Sequence, residues 1–102
     1  MTEPMILDVA EWSRFEIHVD GKLAGFAQYK VEPGVITFIH TEIDAAYEGQ
    51  GLGGTLARHA LDAVRKRGLA VHPQCPFIRA WIAKHPDYLD VVPVEVRPLY
   101  DL

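Results

Sequence analysis

A chain of 102 residues, 49% of them hydrophobic, is sized for one compact domain over residues 1–102 with a single core. Its formal charge of −4 argues against a nucleic-acid partner, because neutralising phosphates needs a basic face. The lone Cys75 has no partner for an internal disulfide, no basic-then-apolar leader opens the chain, and no stretch approaches the roughly 18 to 20 apolar residues of a membrane span. The expectation is therefore a soluble, cytoplasmic protein with no membrane partner.

Arg14 to Val19 alternates polar and apolar residues, the period of a strand with one face on a core and the other in water. Asp20-Gly21 favours the positive backbone angles of a two-residue hairpin, so Leu23 to Val31 is expected to return antiparallel. Pro33-Gly34 reverses the chain again. Val35 to Ile43 carries Val35, Ile39 and Ile43 on one face and Ile36 and Phe38 on the other, which predicts a central strand covered on both sides.

Beyond Tyr47 the chain turns glycine-rich and then helical. Leu52, Leu56, Ala60 and Val64 form one row with Ala57 and Leu61 beside it, while Arg58, His59, Asp62, Arg65 and Lys66 face away. Cations in the last turn and Gly68 mark its end. Leu69 to His72 reads as a short fourth strand, and a strand-helix-strand unit crosses right-handed into parallel pairing. Pro76 suits the first position of a second helix running to His85, with Phe77, Ala80, Trp81 and Lys84 at helical spacing and Pro86 as its stop. The tail from Asp90 to Leu102 contains Pro93 and Pro98 and alternates over Val92 to Val96, so it reads either as a short edge strand or as irregular chain.

Glu48-Gly49-Gln50-Gly51-Leu52-Gly53-Gly54 joins a buried strand to an amphipathic helix, the arrangement that offers unpaired amides and a positive helix end to an anion. A simple connecting turn is the alternative, but four glycines within six residues exceed what a turn needs. Gly49, Gly51 and Gly54 also fit the dinucleotide pattern G-x-G-x-x-G, which requires a strand-helix-strand setting and an acidic residue about 20 positions on. Gln74 and Cys75 occupy that neighbourhood and the preceding strands are antiparallel hairpins, so that reading falls. No Gly-Lys-Ser or Gly-Lys-Thr is present for a triphosphate loop.

At these residues the chain resembles the GCN5-related N-acetyltransferase superfamily, whose coenzyme A signature, laid on this sequence, gives Glu48, Gly51 and Gly53. His40-Thr41-Glu42, Tyr47 to Gly53, Cys75-Pro76-Phe77 and His85-Pro86-Asp87-Tyr88 look like its small stand-alone GNAT-like branch, over Arg14 to Tyr88. The resemblance implies an α+β fold with a mixed, mostly antiparallel sheet and two main helices. It implies acetyl-CoA or coenzyme A as co-substrate, held at Ile43, Glu48, Gly49, Gln50, Gly51, Leu52, Gly53, Gly54 and Thr55, with Lys84, His85 and Tyr88 near the pantetheine arm, adenine or a phosphate. Glu48 stands where the wider superfamily has Gln or Arg, which leaves the phosphate grip to backbone amides. The N-terminal helical region that shapes the acceptor site in larger relatives has no counterpart here, so the amine acceptor, a small molecule or a protein lysine, is unspecified.

Acetyl transfer to an amine needs a neutral nucleophile, a polarised thioester and a proton for the departing thiolate. His40, near the end of the central strand and on the same face as Glu42, is a candidate base for an amine whose pKa lies near ~10.4, or else a histidine satisfying a neighbour. Cys75, at the N-cap of the second helix, suits a transient acetyl acceptor or a proton donor, since helix N-termini favour thiolate; a small buried cysteine is the bland alternative. His72 is a further candidate to assist Cys75, though Pro73 separates the two. Trp81, Phe77 and Ile82 read as packing, Trp12 is unassigned, and His18, His59 and His72 do not make a ligand-spaced cluster with Cys75, so no metal is expected. An N-acetyltransferase and a non-catalytic coenzyme A-binding module both fit.

Overall fold

The computed structural model describes residues 3–102. Five strands form one mixed sheet in sequence order: β1 (Met5–Val9), β2 (Arg14–Val19), β3 (Lys22–Glu32), β4 (Val35–Ile43) and β5 (Ala70–Pro73). The first four pair antiparallel; β5 runs parallel to β4 after the crossover helix α1 (Leu52–Lys66). A second helix, α2 (Pro76–Lys84), packs on β4, β5 and α1. The sequence reading found β2 to β5 and both helices. It missed β1, an edge strand with Met5, Leu7 and Asp8 exposed or nearly so, whose apolar run lacks the alternation that identifies a strand.

Asp20 and Gly21 take φ of 51° and 78°, the paired positive angles of the expected hairpin turn. A bulge then changes the reading of β4. Tyr29 pairs with Phe38 but Gln28 pairs with His40, leaving Ile39 as the extra residue. An extra residue inverts the alternation, so Ile36 and Phe38 and then Thr41 and Ile43 face the helices. The cross-strand rows make this explicit: Phe15, Ala27 and Thr41 share one side, while Arg14, Gln28 and His40 share the other with Glu16, Phe26 and Glu42.

The expected two-sided burial of β4 is thereby corrected. Ile36 and Phe38 are fully buried against the helices, whereas Ile39 is 43% exposed. Core residues from α1 (Leu56, Ala57, Ala60, Leu61, Val64) and α2 (Ile78, Ile82) meet Phe15, Ile17, Ile36 and Phe38 in one cluster, the six-residue stripe of α1 being the one its periodicity predicted. On the opposite face Glu16, 6% exposed, is held by Arg14 (2.7 Å) and His18 (2.8 Å). Arg14 in turn lies over the rings of Trp12 and Phe26, 4.9 and 4.8 Å from their centroids, which gives Trp12 a covering role.

The tail is neither edge strand nor irregular. Pro86–Val91 and Val94–Tyr100 form 3₁₀ segments, and Val91 and Val92 are buried in the core. Arg97 pins the turn between them by donating to the carbonyls of Val92 and Leu89. No helix among the described residues is long and apolar enough to cross a membrane.

Candidate functional site

The chain leaves β4 through a short 3₁₀ turn, Ala45–Tyr47, capped by Asp44, whose carboxylate accepts the amide of Ala46 at 2.9 Å. The glycine-rich loop follows, and its glycines divide by purpose. Gly49 and Gly51 have φ of 82° and 74°, with no atom within 4 Å of where a Cβ would stand, so backbone conformation demands glycine and the space beyond is open. Gly53 and Gly54 are in α1. A Cβ on Gly53 would lie 2.7 Å from the ring of Phe77, so this glycine lets α1 and α2 approach closely; one on Gly54 would stand 3.5 Å from the indole nitrogen of Trp81, an ordinary contact, so packing does not demand glycine there.

Turn geometry and helix packing thus account for Gly49, Gly51 and Gly53, and the number of glycines carries less weight than the sequence reading gave it. The amides carry the case instead. Among the described residues, the hydrogen bonds supply no acceptor for the N–H groups of residues 49 to 54; Thr55 is the first to close, its amide and its hydroxyl both reaching the carbonyl of Gly51 at 3.2 Å. These donors sit at the N-terminus of a 15-residue helix with no acidic residue in its first turn, where partial positive charge accumulates. Such a cradle fits a diphosphate.

Two grooves open on the loop. One, of about 250 Å³, is lined by Ile43, Tyr47, Glu48, Gly49, the start of α1 and Phe77. The other, of about 430 Å³, lies between α1 and α2 and is lined by Gly51, Gly54, Thr55, Arg58, His59, Trp81 and His85. Beside them β5 pairs with β4 only over Val35 to Phe38, so residues 39 to 43 have no strand on that edge. The backbone there is free to pair with an extended ligand.

Cys75 is the N-cap of α2, as expected, and is 2% exposed. Its amide donates to the carbonyl of Phe38 (2.8 Å) and its Sγ lies 3.2 Å from Thr41 Oγ1. His40, one residue away from Thr41 but on the other side of the sheet, is exposed; its Nε2 is 3.4 Å from the Glu42 carboxylate and its ring meets the edge of Phe26. The structure therefore does not bring His40 and Cys75 into contact: they flank the unpaired edge of β4 from opposite faces. His72, expected to assist Cys75, pairs with Thr37 and lies by Tyr100 instead.

Of the residues implied for the cofactor, Ile43, Glu48, Gly49, Gly51, Leu52, Gly53, Gly54, Thr55 and His85 line one groove or the other. Gln50 is exposed at the loop tip. Lys84 is exposed at the end of α2 and lines neither groove. Tyr88, 4% exposed, is packed edge-on to Trp81, and its hydroxyl donates to Asp62 at 2.8 Å. Burial and that bond to Asp62 push the phenol's pKa up, so it stays a neutral donor, and it supports the groove rather than lining it. Sequence reasoning did not single out Tyr47 for the site; it read Phe77 as packing, which the contact with Gly53 bears out, and Arg58 and His59 as facing solvent, where both are exposed while also lining the second groove. The spacing of Gly54 and Arg58, four residues apart on one helix face, was the available signal for the last pair. Among the described residues no group of three or more His, Cys, Asp or Glu is gathered for a metal ion.

Residues 14–91 match the family model described as GCN5-related N-acetyl-transferase. The chain is 38% identical over 56 residues to the ribosomal protein bS18-alanine N-acetyltransferase of Escherichia coli (strain K12), covering 55% of this chain and 38% of that enzyme. It is 35% identical over 52 residues to Protein NATD1 of Homo sapiens, covering 51% and 46%. The aligned segments thus span less than half the length of these relatives. The crystal structure of a ribosomal-protein-alanine N-acetyltransferase from Brucella melitensis biovar Abortus 2308 superposes with a TM-score of 0.55 over 91% of this chain and 92% of that one, at 16% identity, which establishes the shared fold. By this match over residues 14–91, the chain belongs to the GCN5-related N-acetyltransferase family.

Proposed function

We propose that the protein binds acetyl-CoA and transfers its acetyl group to an amine. The observation that carries this reading is the set of acceptor-less amides at residues 49 to 54, set at a helix N-terminus beside the unpaired edge of β4. Acetyl-CoA, when bound, supplies an activated thioester. The loop amides hold its diphosphate, and the free backbone of residues 39 to 43 aligns the extended pantetheine as a strand would.

The amine approaches from the open face of the sheet. There His40, oriented by Glu42, accepts the proton that the amine nitrogen loses as its bond to the acetyl carbon forms. Cys75 stands on the helix side and gives its thiol proton to the sulfur that leaves as the C–S bond breaks; the Thr41 hydroxyl, 3.2 Å from Sγ, donates a hydrogen bond to the thiolate left behind, which regains its proton from water before the next turnover. The covalent alternative has Sγ take the acetyl group first, its proton going to the departing thiolate, and the amine take it second. A second reading, a module that binds the cofactor without efficient turnover, draws support from the burial of Cys75.

Intact-mass spectrometry after incubation with acetyl-CoA separates these. Transfer to an added polyamine or lysine peptide that persists in Cys75→Ala and fails in His40→Ala supports direct transfer. A protein adduct that vanishes in Cys75→Ala supports the covalent route. Binding without either product leaves the non-catalytic reading.

A further inference from the structure

The groove between α1 and α2 is larger than the loop needs, and its walls have a distinct chemistry. Arg58 and His59 stand on the α1 side, both exposed. On the α2 side the His85 ring lies flat on Trp81, 3.9 Å between centroids and 14° between planes. His85 Nδ1 is 2.7 Å from the carbonyl of Trp81; a carbonyl only accepts, so Nδ1 carries the proton and the ring is fixed as a plate. The result is a flat aromatic wall beside one formed by Arg58 and His59.

Arg58 differs from its counterparts. Arg14, Arg65 and Arg67 each lie against a carboxylate, and Arg79 and Arg97 donate to backbone carbonyls. Arg58 meets the hydroxyl of Tyr88 at 3.3 Å and the ring faces of Trp81 and Tyr88. Asp62, the acid one turn along, accepts the hydrogen bond of the Tyr88 hydroxyl instead. Most of the guanidinium's five donors therefore remain for an anion in the groove.

Resting on the reading that the loop holds the diphosphate of coenzyme A, we infer that Arg58 and His59 bind the 3′-phosphate of its ribose and make the protein selective for coenzyme A over 3′-dephospho-coenzyme A. The groove shares Gly51 and Gly54 with the loop, so a nucleoside continuing from the diphosphate enters it directly. The 3′-phosphate is the charge that a nucleoside diphosphate lacks. A doubly charged phosphate gains most from a planar guanidinium, and among the described residues no carboxylate bonds Arg58 directly, Asp62 being reached only through the Tyr88 hydroxyl.

The test is calorimetry of both compounds against the wild type, Arg58→Gln and His59→Gln. The inference expects wild type to prefer coenzyme A by about tenfold or more, the scale of one charge-assisted hydrogen bond. In Arg58→Gln that preference collapses toward unity while dephospho-coenzyme A binds as before; His59→Gln loses part of it. Should Arg58→Gln fail to fold through loss of its contact with Trp81, the exposed His59 decides alone. Equal wild-type affinity for the two compounds overturns the inference and leaves the loop assignment standing, as does a preference unchanged in the folded variants. Binding of neither overturns both.

Discussion

The two faces of the sheet are built on different principles. On the helix side, Ile17, Ile36 and Phe38 are sealed beneath α1 and α2, and side-chain shape decides what fits. On the open side, Arg14, Glu16 and His18 hold one another, Arg14 lies on Trp12 and Phe26, and His40 and Glu42 stand in solvent. The first face fixes a loop and two grooves. The second is a surface of ion pairs and rings that another molecule can approach. The helix that seals the core also begins at the glycine-rich loop, so on the proposed reading one element serves both the core and the cofactor.

The sharpest way to break this contrast compares neighbours in β4. Phe38→Ala removes a fully buried ring and is expected to destabilise the fold by about 3–5 kcal/mol, whereas Ile39→Ala, at the exposed bulge, is expected to change stability by under about 1 kcal/mol. Denaturant unfolding of both variants measures it; similar losses would mean that the open face is packed as tightly as the other.

Next in size is an effect on binding. Gly51→Glu forces a side chain into positive φ and sets a negative charge over the loop, so acetyl-CoA affinity is expected to fall on the order of a hundredfold, as like charges brought together cost several kcal/mol. Unchanged affinity in a folded variant would separate the loop from the cofactor.

The smallest effect sharpens the electrostatics of the open face. Burial alone would raise the Glu16 carboxyl, but the hydrogen bonds from His18 and Arg14 outweigh it and hold the group below its ordinary value of 4.5. A depressed carboxyl contributes stability that is present above its unfolded pKa and lost as pH falls through the folded one. Glu16→Gln is therefore expected to be less stable by about 1 kcal/mol near neutrality, with the gap closing once the pH drops below about 4.5. Unfolding curves across that range would show a constant gap if the charge were immaterial.

Much of this was legible in the sequence. Asp20-Gly21 fixed a hairpin because few dipeptides accept two positive angles, and the Leu52 to Val64 row marked the buried stripe of α1 because a 3.6-residue period has one meaning. Alternation failed at β4. A bulge adds a residue without leaving a mark in composition, so Ile39 was read as buried and Thr41 was overlooked beside Cys75. The connection from β4 to α1 was placed correctly, but one of its glycines has a different reason: Gly53 faces Phe77, a contact between elements that no local pattern encodes. Arg58 and His59 looked solvated because their groove exists only once α2 has packed against α1.

The most direct test of the central claim is a backbone-amide NMR titration with acetyl-CoA. The account expects the amide signals of residues 49 to 54 to shift most, with residues 39 to 43 of β4 following as that edge becomes paired. Shifts that spare the loop, or that gather on Leu7, Phe26 and their neighbours on the open face, would contradict it.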